Sequence, residues 1–337
     1  MNYVTNPRIE SRELRKTIKE FKQLNLDTVD IDVLKTTLAP ILHHYVHPAP
    51  LIQPDELIFR TVTWGDRPSV IKQLTYPPAD RVDYGRCNRP RDPVFYGSTG
   101  SISAIQELAP PNGTRLVLSM WRVTKPIIAA CVGYAEKTFR NFDSNRWPDI
   151  WWQKLDLKGL EPVGARTAEN NLVNRFLAKE FTRLIPKDEA WKYKLSACIA
   201  EAFLKANPSE HASGPIPGLL RAGESNTGIT ASALIYPSIA AAANNDNVAI
   251  NSSTADSSLS LVWAQFLEIE RTNEKTAEFN PKGLDFASTT TPTGELVCLG
   301  HFPSVLVPGA DLRIDMDKGK LVLKDSRNII AGTFPQQ

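Results

Sequence analysis

Cysteine is scarce in this sequence, with four residues among 337. Cys87, Cys131, Cys198 and Cys298 lie far apart and form no C-x-x-C pair. Metal-binding ribbons need such pairs, and small disulfide-stapled proteins need a denser set, so we exclude both classes. Reduced thiols are the simplest interpretation, and they favour a cytoplasmic location.

Long apolar runs are missing as well. The N-terminus, MNYVTNPRIESRELRK, has no apolar core of the kind found in a secretory signal. No later segment provides the roughly 20 consecutive apolar residues that span a bilayer. The sequence therefore predicts a soluble protein that neither crosses a membrane nor is exported through a signal peptide. With 42% hydrophobic residues, it can still build a sizeable core.

An excess of either charge is also lacking, since 39 basic residues stand against 37 acidic ones and the net charge is +2. Nothing in this balance favours nucleic acid or an anionic membrane surface as a partner. Trp147, Trp151 and Trp152 form an aromatic cluster. Because no basic groove accompanies them, we interpret the three tryptophans as part of a packed core or lid.

Familiar catalytic motifs are absent too. The sequence contains neither a Walker A loop nor a dinucleotide-binding G-x-G-x-x-G motif. Ser238 follows an apolar run, yet G-x-S-x-G is missing and no histidine is close in sequence to argue for a catalytic triad. We therefore expect Ser238 to be a hydrogen-bonding hydroxyl in a pocket and not a nucleophile.

A metal site is not predicted. His43 and His47 are spaced i, i+4 and could in principle bind one ion from a single helix face. However, no acid or cysteine lies close by as a third ligand, and Pro48 ends the helix at this point. Histidines that meet the negative end of a helix dipole are the simpler explanation.

Hydrophobic spacing predicts both helices and strands, hence an α+β protein. Amphipathic helices are expected over residues 8–24 and 32–45, the second with Pro40 inside it. Further predicted elements are strands at 57–62, on either side of Pro126 within 115–132, at 233–238 and at 258–272, a long helical region at 167–205, and a hairpin at 312–323.

The stretch 84–108 predicts a loop, a strand, a turn and a helix, and it carries three polar residues of interest. Arg86 could point from a loop into a cleft or could cap a neighbouring helix. Tyr96 could offer a ring face or lie half-buried in a sheet, and Glu107 could act in a site or lie on a solvated helix face. Arg60 interrupts an apolar strand and stays charged, so we expect a phosphate or carboxylate partner, the alternative being a salt bridge at the strand end.

The order of these motifs along the chain resembles the RES-domain family. The resemblance covers about residues 57–262 and depends on the ordered set, because each motif alone is short. The matching segments are Phe59-Arg60, Gly85-Arg86-Cys87-Asn88, Pro93-Val94-Phe95-Tyr96, Ala104-Ile105-Gln106-Glu107, Tyr236-Pro237-Ser238 and Asn247-Val248-Ala249-Ile250.

The resemblance implies an ADP-ribosyltransferase-like fold with a mixed, strongly bent β-sheet core and helical insertions. It implies an enzyme that consumes NAD by cleaving the nicotinamide–ribose bond, with water or inorganic phosphate as the acceptor and without a metal. The site residues that it implies are Arg60, Glu107 and Ser238 for catalysis and Arg86, Tyr96 and Asn247 for NAD binding.

Members known as toxins are paired with Xre-type antitoxins, so the resemblance also implies a toxin with such a protein partner. Two alternatives stay open: transfer of ADP-ribose to a macromolecule, and a catalytically silent module that binds a nucleotide or a partner. The expected organisation begins with a helical extension at 1–50, which could form a homo-oligomer or an internal shield. A catalytic domain follows at 51–270, with a helical insertion at about 141–205. A β-rich extension at 271–337 packs on the same domain.

Overall fold

The computed structural model describes most of the chain. The chain forms two compact units. Unit 1 comprises Met1–Pro54, Pro77–Tyr96 and Lys125–Ser258, and unit 2 comprises Asp55–Tyr76, Gly97–Thr124 and Leu259–Gln337. The described residues are 11–42, 45–142, 144, 146, 167–204, 219–221, 231–273, 278–298, 300, 313–317, 320–324 and 330–333.

Helices and strands are both abundant among the described residues. The α-helices are α1 Ser11–Phe21, α2 Ile31–Leu42, α3 Ser101–Gln106, α4 Glu136–Asn141, α5 Ala168–Phe181, α6 Lys194–Leu204 and α7 Ser252–Ser258. The strands are β1 Val46–Pro48, β2 Leu51–Ile52, β3 Leu57–Thr63, β4 Val94–Ser98, β5 Arg115–Val123, β6 Ile127–Cys131, β7 Leu219–Arg221, β8 Ala233–Pro237, β9 Asp246–Asn251, β10 Leu259–Asn273, β11 Glu278–Thr290, β12 Leu296–Cys298, β13 Arg313–Asp317, β14 Lys320–Lys324 and β15 Ile330–Thr333.

Ten strands pair in the order β12-β11-β10-β5-β3-β4-β9-β8-β6-β2. Most of the pairs are antiparallel, as in β5–β10 and β8–β9, whereas β6 and β8 run parallel. Two smaller sheets are formed by β1–β7 and by β13-β14-β15. The protein is therefore α+β, with a mixed and mostly antiparallel open sheet and several helices, as the hydrophobic pattern predicts.

The two N-terminal helices belong to the hydrophobic core of unit 1. Leu14, Ile18 and Phe21 all lie on the buried face of α1, as their i, i+4, i+7 spacing predicts. The Phe21 ring meets Phe176 of α5 edge-on, with 5.7 Å between ring centroids. The Lys194 ammonium donates hydrogen bonds to the carbonyls of Leu26 (3.0 Å) and Val29 (2.8 Å), between α1 and α2. The division into a 1–50 extension and a 51–270 domain stays a prediction, but these helices share one core with α5 and α6.

In unit 2, strand register decides which side chains meet helix α3. Phe59 lies opposite Met120, and it packs against a buried cluster that contains Met120 together with Ala104 and Ile105 of α3. Arg60 lies opposite Ser119, one residue along each strand. Because side chains alternate along a strand, Arg60 projects from the face opposite α3.

Most predicted elements are confirmed with small shifts of their ends. The helices predicted at 8–24 and 32–45 are α1 and α2, and Pro40 is accommodated inside α2. Pro126 separates β5 from β6, and Pro186 lies between α5 and α6. The predicted hairpin is the antiparallel pair β13–β14. The tryptophan cluster at 147–152 lies outside the described residues. No helix within the described ranges is both long and apolar enough to span a membrane.

Candidate functional site

The segment Gly85–Asn88 forms a closed turn in unit 1. The Gly85 amide donates to the Asn88 carbonyl (3.1 Å), and the Asn88 amide donates back to the Gly85 carbonyl (3.4 Å). The hydroxyl of half-buried Tyr96, on β4, accepts a hydrogen bond from the Cys87 amide (2.7 Å) and donates one to Asn88 Oδ1 (2.8 Å). Two motifs that are eight to nine residues apart in sequence are thereby joined into one hydrogen-bonded structure.

Glycine is required at position 85 by close packing. A Cβ atom there would lie 2.3 Å from Asn88 Oδ1 and 2.8 Å from the Tyr96 hydroxyl oxygen. These two atoms are hydrogen-bonded to each other, so neither can move away without disturbing the link between the turn and Tyr96. Glycine therefore precedes Arg86 because any larger residue would clash with Asn88 and Tyr96. The same two residues hold the backbone next to Arg86 in place.

Arg86 binds the C-terminal end of helix α5. Its guanidinium donates to the carbonyls of Phe181 (2.6 Å) and Arg183 (3.1 Å), with a longer contact to that of Glu180 (3.5 Å). The last carbonyls of a helix have no partner within it and carry partial negative charge, so a cation is favourable there. The helix-capping alternative for Arg86 is what the structure contains, while its phosphate-binding role stays a prediction.

Arg60 and Glu107 are the two predicted catalytic residues that belong to unit 2. Arg60 is half-buried on β3, and its Nε donates to the Leu74 carbonyl (3.2 Å). Glu107 is exposed and directly follows α3, which packs on the opposite face of the β3–β5 pair.

Ser238 opens the turn between β8 and β9 in unit 1. It is fully buried, its amide donates to the Asn245 carbonyl (2.9 Å), and its Oγ accepts from the Ala241 amide (3.2 Å). Asn247 is buried on β9 and lies opposite Tyr236 in the β8–β9 register. Ser238 and Asn247 are thus close to the same end of this strand pair.

Tyr236 connects these residues to the Arg86 turn. Its ring packs against Phe181, whose carbonyl Arg86 binds, with 5.6 Å between ring centroids. Its hydroxyl also contacts the Cys87 thiol, and burial raises the pKa of that thiol to about 12. Cys87 is consequently a neutral packing residue and not a nucleophile at ordinary pH. Tyr236 therefore contacts Phe181 and Cys87 and lies opposite Asn247 in the strand register.

His47 lies on β1 and not on a helix. It is 1% exposed, its ring stacks on Tyr45 at 5.6 Å between centroids, and it meets Phe203 edge-on at 5.1 Å. Burial lowers its pKa to about 4, so the ring is neutral at pH 7. His43 lies outside the described residues, and no cluster of potential metal ligands occurs among the residues whose positions the structure gives.

A small cavity of about 40 Å³ adjoins the Gly85–Asn88 turn. Glu201 of α6 lies in its wall and forms ion pairs with Arg89 (2.6 Å) and Lys35 (2.9 Å). A cavity of this size holds one or a few water molecules. It is too small for a dinucleotide.

Sequence reasoning missed a buried polar cluster in unit 1. Arg146 forms a bidentate ion pair with Asp246 (2.9 and 2.7 Å), and the Tyr134 hydroxyl donates to the same carboxylate (2.7 Å). Burial, followed by the charge of Asp246, raises the pKa of Tyr134 well above its usual range. Asp246 directly precedes the predicted residue Asn247, and that adjacency was the available signal.

The candidate residues are divided between the units. Arg86, Tyr96, Ser238 and Asn247 belong to unit 1, and Arg60 and Glu107 belong to unit 2. Comparison of the chain with protein-family models, curated protein sequences and solved structures gives no match.

Proposed function

We propose that the chain cleaves the nicotinamide–ribose bond of NAD, with water or inorganic phosphate as the acceptor. The observation that supports this proposal is the joining of the Gly85–Asn88 turn to Tyr96. These are two of the motifs on which the resemblance to the RES-domain family rests, and they form one hydrogen-bonded structure. The finer fold description, an ADP-ribosyltransferase-like core with a strongly bent sheet, is part of the same proposal.

Glu107 is the proposed catalytic carboxylate. As the bond breaks, its electron pair leaves with neutral nicotinamide and positive charge develops on the ribose ring, as in glycoside hydrolysis. A fixed carboxylate stabilises charge of this sign as it develops. Oxygen of water or phosphate then bonds to the ribose carbon, and a water nucleophile releases its proton to solvent. Glu107 is exposed, so substrate and solvent can reach it.

The remaining residues are proposed to hold NAD. The guanidinium groups of Arg60 and Arg86 suit the pyrophosphate better than ammonium groups do, because their donors form a planar fork. Tyr96 offers a half-buried ring for the nicotinamide. Ser238 and Asn247, at one end of the β8–β9 pair, offer a hydroxyl and an amide for the ribose or the carboxamide.

The biological role that accompanies this chemistry is that of a toxin. Depletion of NAD harms the cell that makes the protein, so an inhibitor is needed, and the resemblance suggests an Xre-type antitoxin. Transfer of ADP-ribose to a macromolecule is a different outcome of the same bond cleavage. Label from the adenylate half of NAD that appears on protein or nucleic acid distinguishes transfer from hydrolysis or phosphorolysis.

The test is release of nicotinamide by the purified full chain, freed of any bound inhibitor, with and without phosphate. Glu107→Gln keeps the shape of the side chain and removes its charge, so we expect the rate to fall by about 10²-fold or more. Glu295→Gln, which changes another exposed glutamate of unit 2, serves as the matched control and is expected to retain full activity. Absence of nicotinamide release by the wild-type chain refutes the function, and full activity of Glu107→Gln refutes the assignment of the carboxylate.

A catalytically silent nucleotide-binding module is a second candidate. One observation favours it: the guanidinium of Arg86 is engaged by the carbonyls at the end of α5. Calorimetry separates the two candidates, because tight NAD binding without turnover is expected only of the silent module.

A further inference from the structure

The turn between β8 and β9 contains two alanines in a left-handed backbone conformation. Ala242 has φ 48° and Ala243 has φ 58°. Residues with a side chain adopt this conformation at a cost of about 1 kcal/mol or more each, so such a turn persists only where its surroundings impose it. The Ala243 amide donates to the Ser238 carbonyl (2.8 Å), which ties the strained residues directly to the predicted site residue.

Arg146 contacts this turn from outside the strand pair. Its Nη1 donates to the Ala243 carbonyl (3.2 Å), and both terminal nitrogens bind Asp246, the residue at which β9 begins. The side chains of Arg146 and Asp246 are 16% and 6% exposed. Ser144 Oγ donates to the same Ala243 carbonyl (3.3 Å). One guanidinium therefore joins the strained end of the turn to the start of β9.

We infer that Arg146 is a positioning residue for the proposed reaction: by holding Ala243 and Asp246 it fixes the turn that places Ser238 and Asn247. The inference rests on the proposed function. Asn247 directly follows Asp246 in the chain. The Ser238 carbonyl accepts a hydrogen bond from the Ala243 amide. Loss of the guanidinium lets the two alanines leave the left-handed conformation, and the Ser238 hydroxyl moves with them.

The Arg146–Asp246 pair also explains why lysine is not equivalent at position 146. A guanidinium presents parallel donors to the two carboxylate oxygens and further donors in the same plane. A lysine ammonium retains the charge that Asp246 needs but lacks the planar fork that binds the carboxylate and the Ala243 carbonyl together. Arg146→Lys should therefore rescue folding more fully than it rescues positioning.

Kinetics and hydrogen exchange of the full chain test the inference together. In Arg146→Met we expect kcat/KM for nicotinamide release to fall about ten- to a hundredfold, because Ser238 and Asn247 are proposed to contact the bound NAD. The amides of Ser238, Ala241 and Ala243 should exchange at least about tenfold faster, whereas those of Val248 and Ile250 in β9 should change by less than about twofold. Arg175→Met, an exposed arginine on α5, is the matched control and should resemble the wild type.

A second variant covers the possibility that Arg146→Met does not fold, because it leaves a buried carboxylate without its cation. Arg146→Met combined with Asp246→Asn removes both charges and should show the same loss of kcat/KM and of turn protection. The inference is overturned if the turn amides keep their protection, or if all amides of unit 1 exchange faster together. If the wild-type chain releases no nicotinamide, the proposed function fails, and exchange at the turn amides alone decides whether Arg146 holds the turn.

Discussion

Protonation of His47 should destabilise the folded protein under mildly acidic conditions. The ring is 1% exposed and lies between Tyr45 and Phe203, and its Nδ1–H donates to the Pro48 carbonyl (2.9 Å). Burial opposes the charged form and lowers the pKa from 6.5 to about 4 in the folded state. The unfolded chain therefore binds a proton at a higher pH than the folded chain does.

The sign of the effect follows from proton linkage. Between pH 6.5 and about 4 the unfolded state carries more protons at this site, so the free energy of unfolding falls as the pH falls. The stability is fully present above pH 6.5, and the total loss approaches about 3 kcal/mol below pH 4. From pH 7 to pH 5 the expected loss is about 2 kcal/mol.

The assay is urea unfolding of wild type and His47→Phe at pH 7, 6 and 5. The phenylalanine ring keeps the aromatic contacts with Tyr45 and Phe203 and cannot be protonated, so the variant should lose about 2 kcal/mol less than the wild type over this range. Other titrating groups are common to both proteins and cancel in the comparison. Equal pH dependence of the two proteins would refute the claim that His47 is held neutral by burial.

Two further predictions concern the Gly85–Asn88 turn. Arg86→Met removes charged hydrogen bonds to the end of α5 and should lower the free energy of unfolding by about 2 kcal/mol, as measured by urea unfolding. Arg81→Met, at an exposed arginine, is the control and should leave the stability unchanged. A raised KM for NAD at unchanged stability would instead identify Arg86 as a phosphate ligand. Gly85→Ala should lower the stability by about 1–3 kcal/mol, because its Cβ would meet Asn88 Oδ1 at 2.3 Å. Gly65→Ala is the control, because a Cβ added at Gly65 would have no neighbouring atom within 4 Å. Equal melting temperatures of the Gly65→Ala and Gly85→Ala variants would contradict the packing argument.

Local elements could be predicted because their causes are local. The spacing of Leu14, Ile18 and Phe21 produces one apolar face, and that face is the buried side of α1. Pro126 cannot donate a backbone hydrogen bond, and β5 and β6 lie on either side of it. The hydrophobic pattern did not predict where the two N-terminal helices pack, because an apolar helix face does not specify which surface will cover it.

The candidate site was predictable only in part. The proximity of the Gly85–Asn88 turn to Tyr96 follows from a short connection in the chain. The register of β3 against β5, by contrast, decides that Arg60 projects away from α3, because a shift by one residue would reverse every side chain on the strand. Arg146 and Asp246 are 100 residues apart, and no local pattern indicates that they meet.

The sequence by itself determined the types of element, the glycine at the turn and the residue types available for chemistry, since these depend on backbone sterics and spacing. Tertiary structure alone decided which partner each polar group has. The sequence shows that Arg86 has a charged guanidinium group. Its partners, the carbonyls of Phe181 and Arg183, lie 95 and 97 residues further along the chain. They are brought to Arg86 because α5 packs into the core of unit 1, and its last carbonyls need a donor.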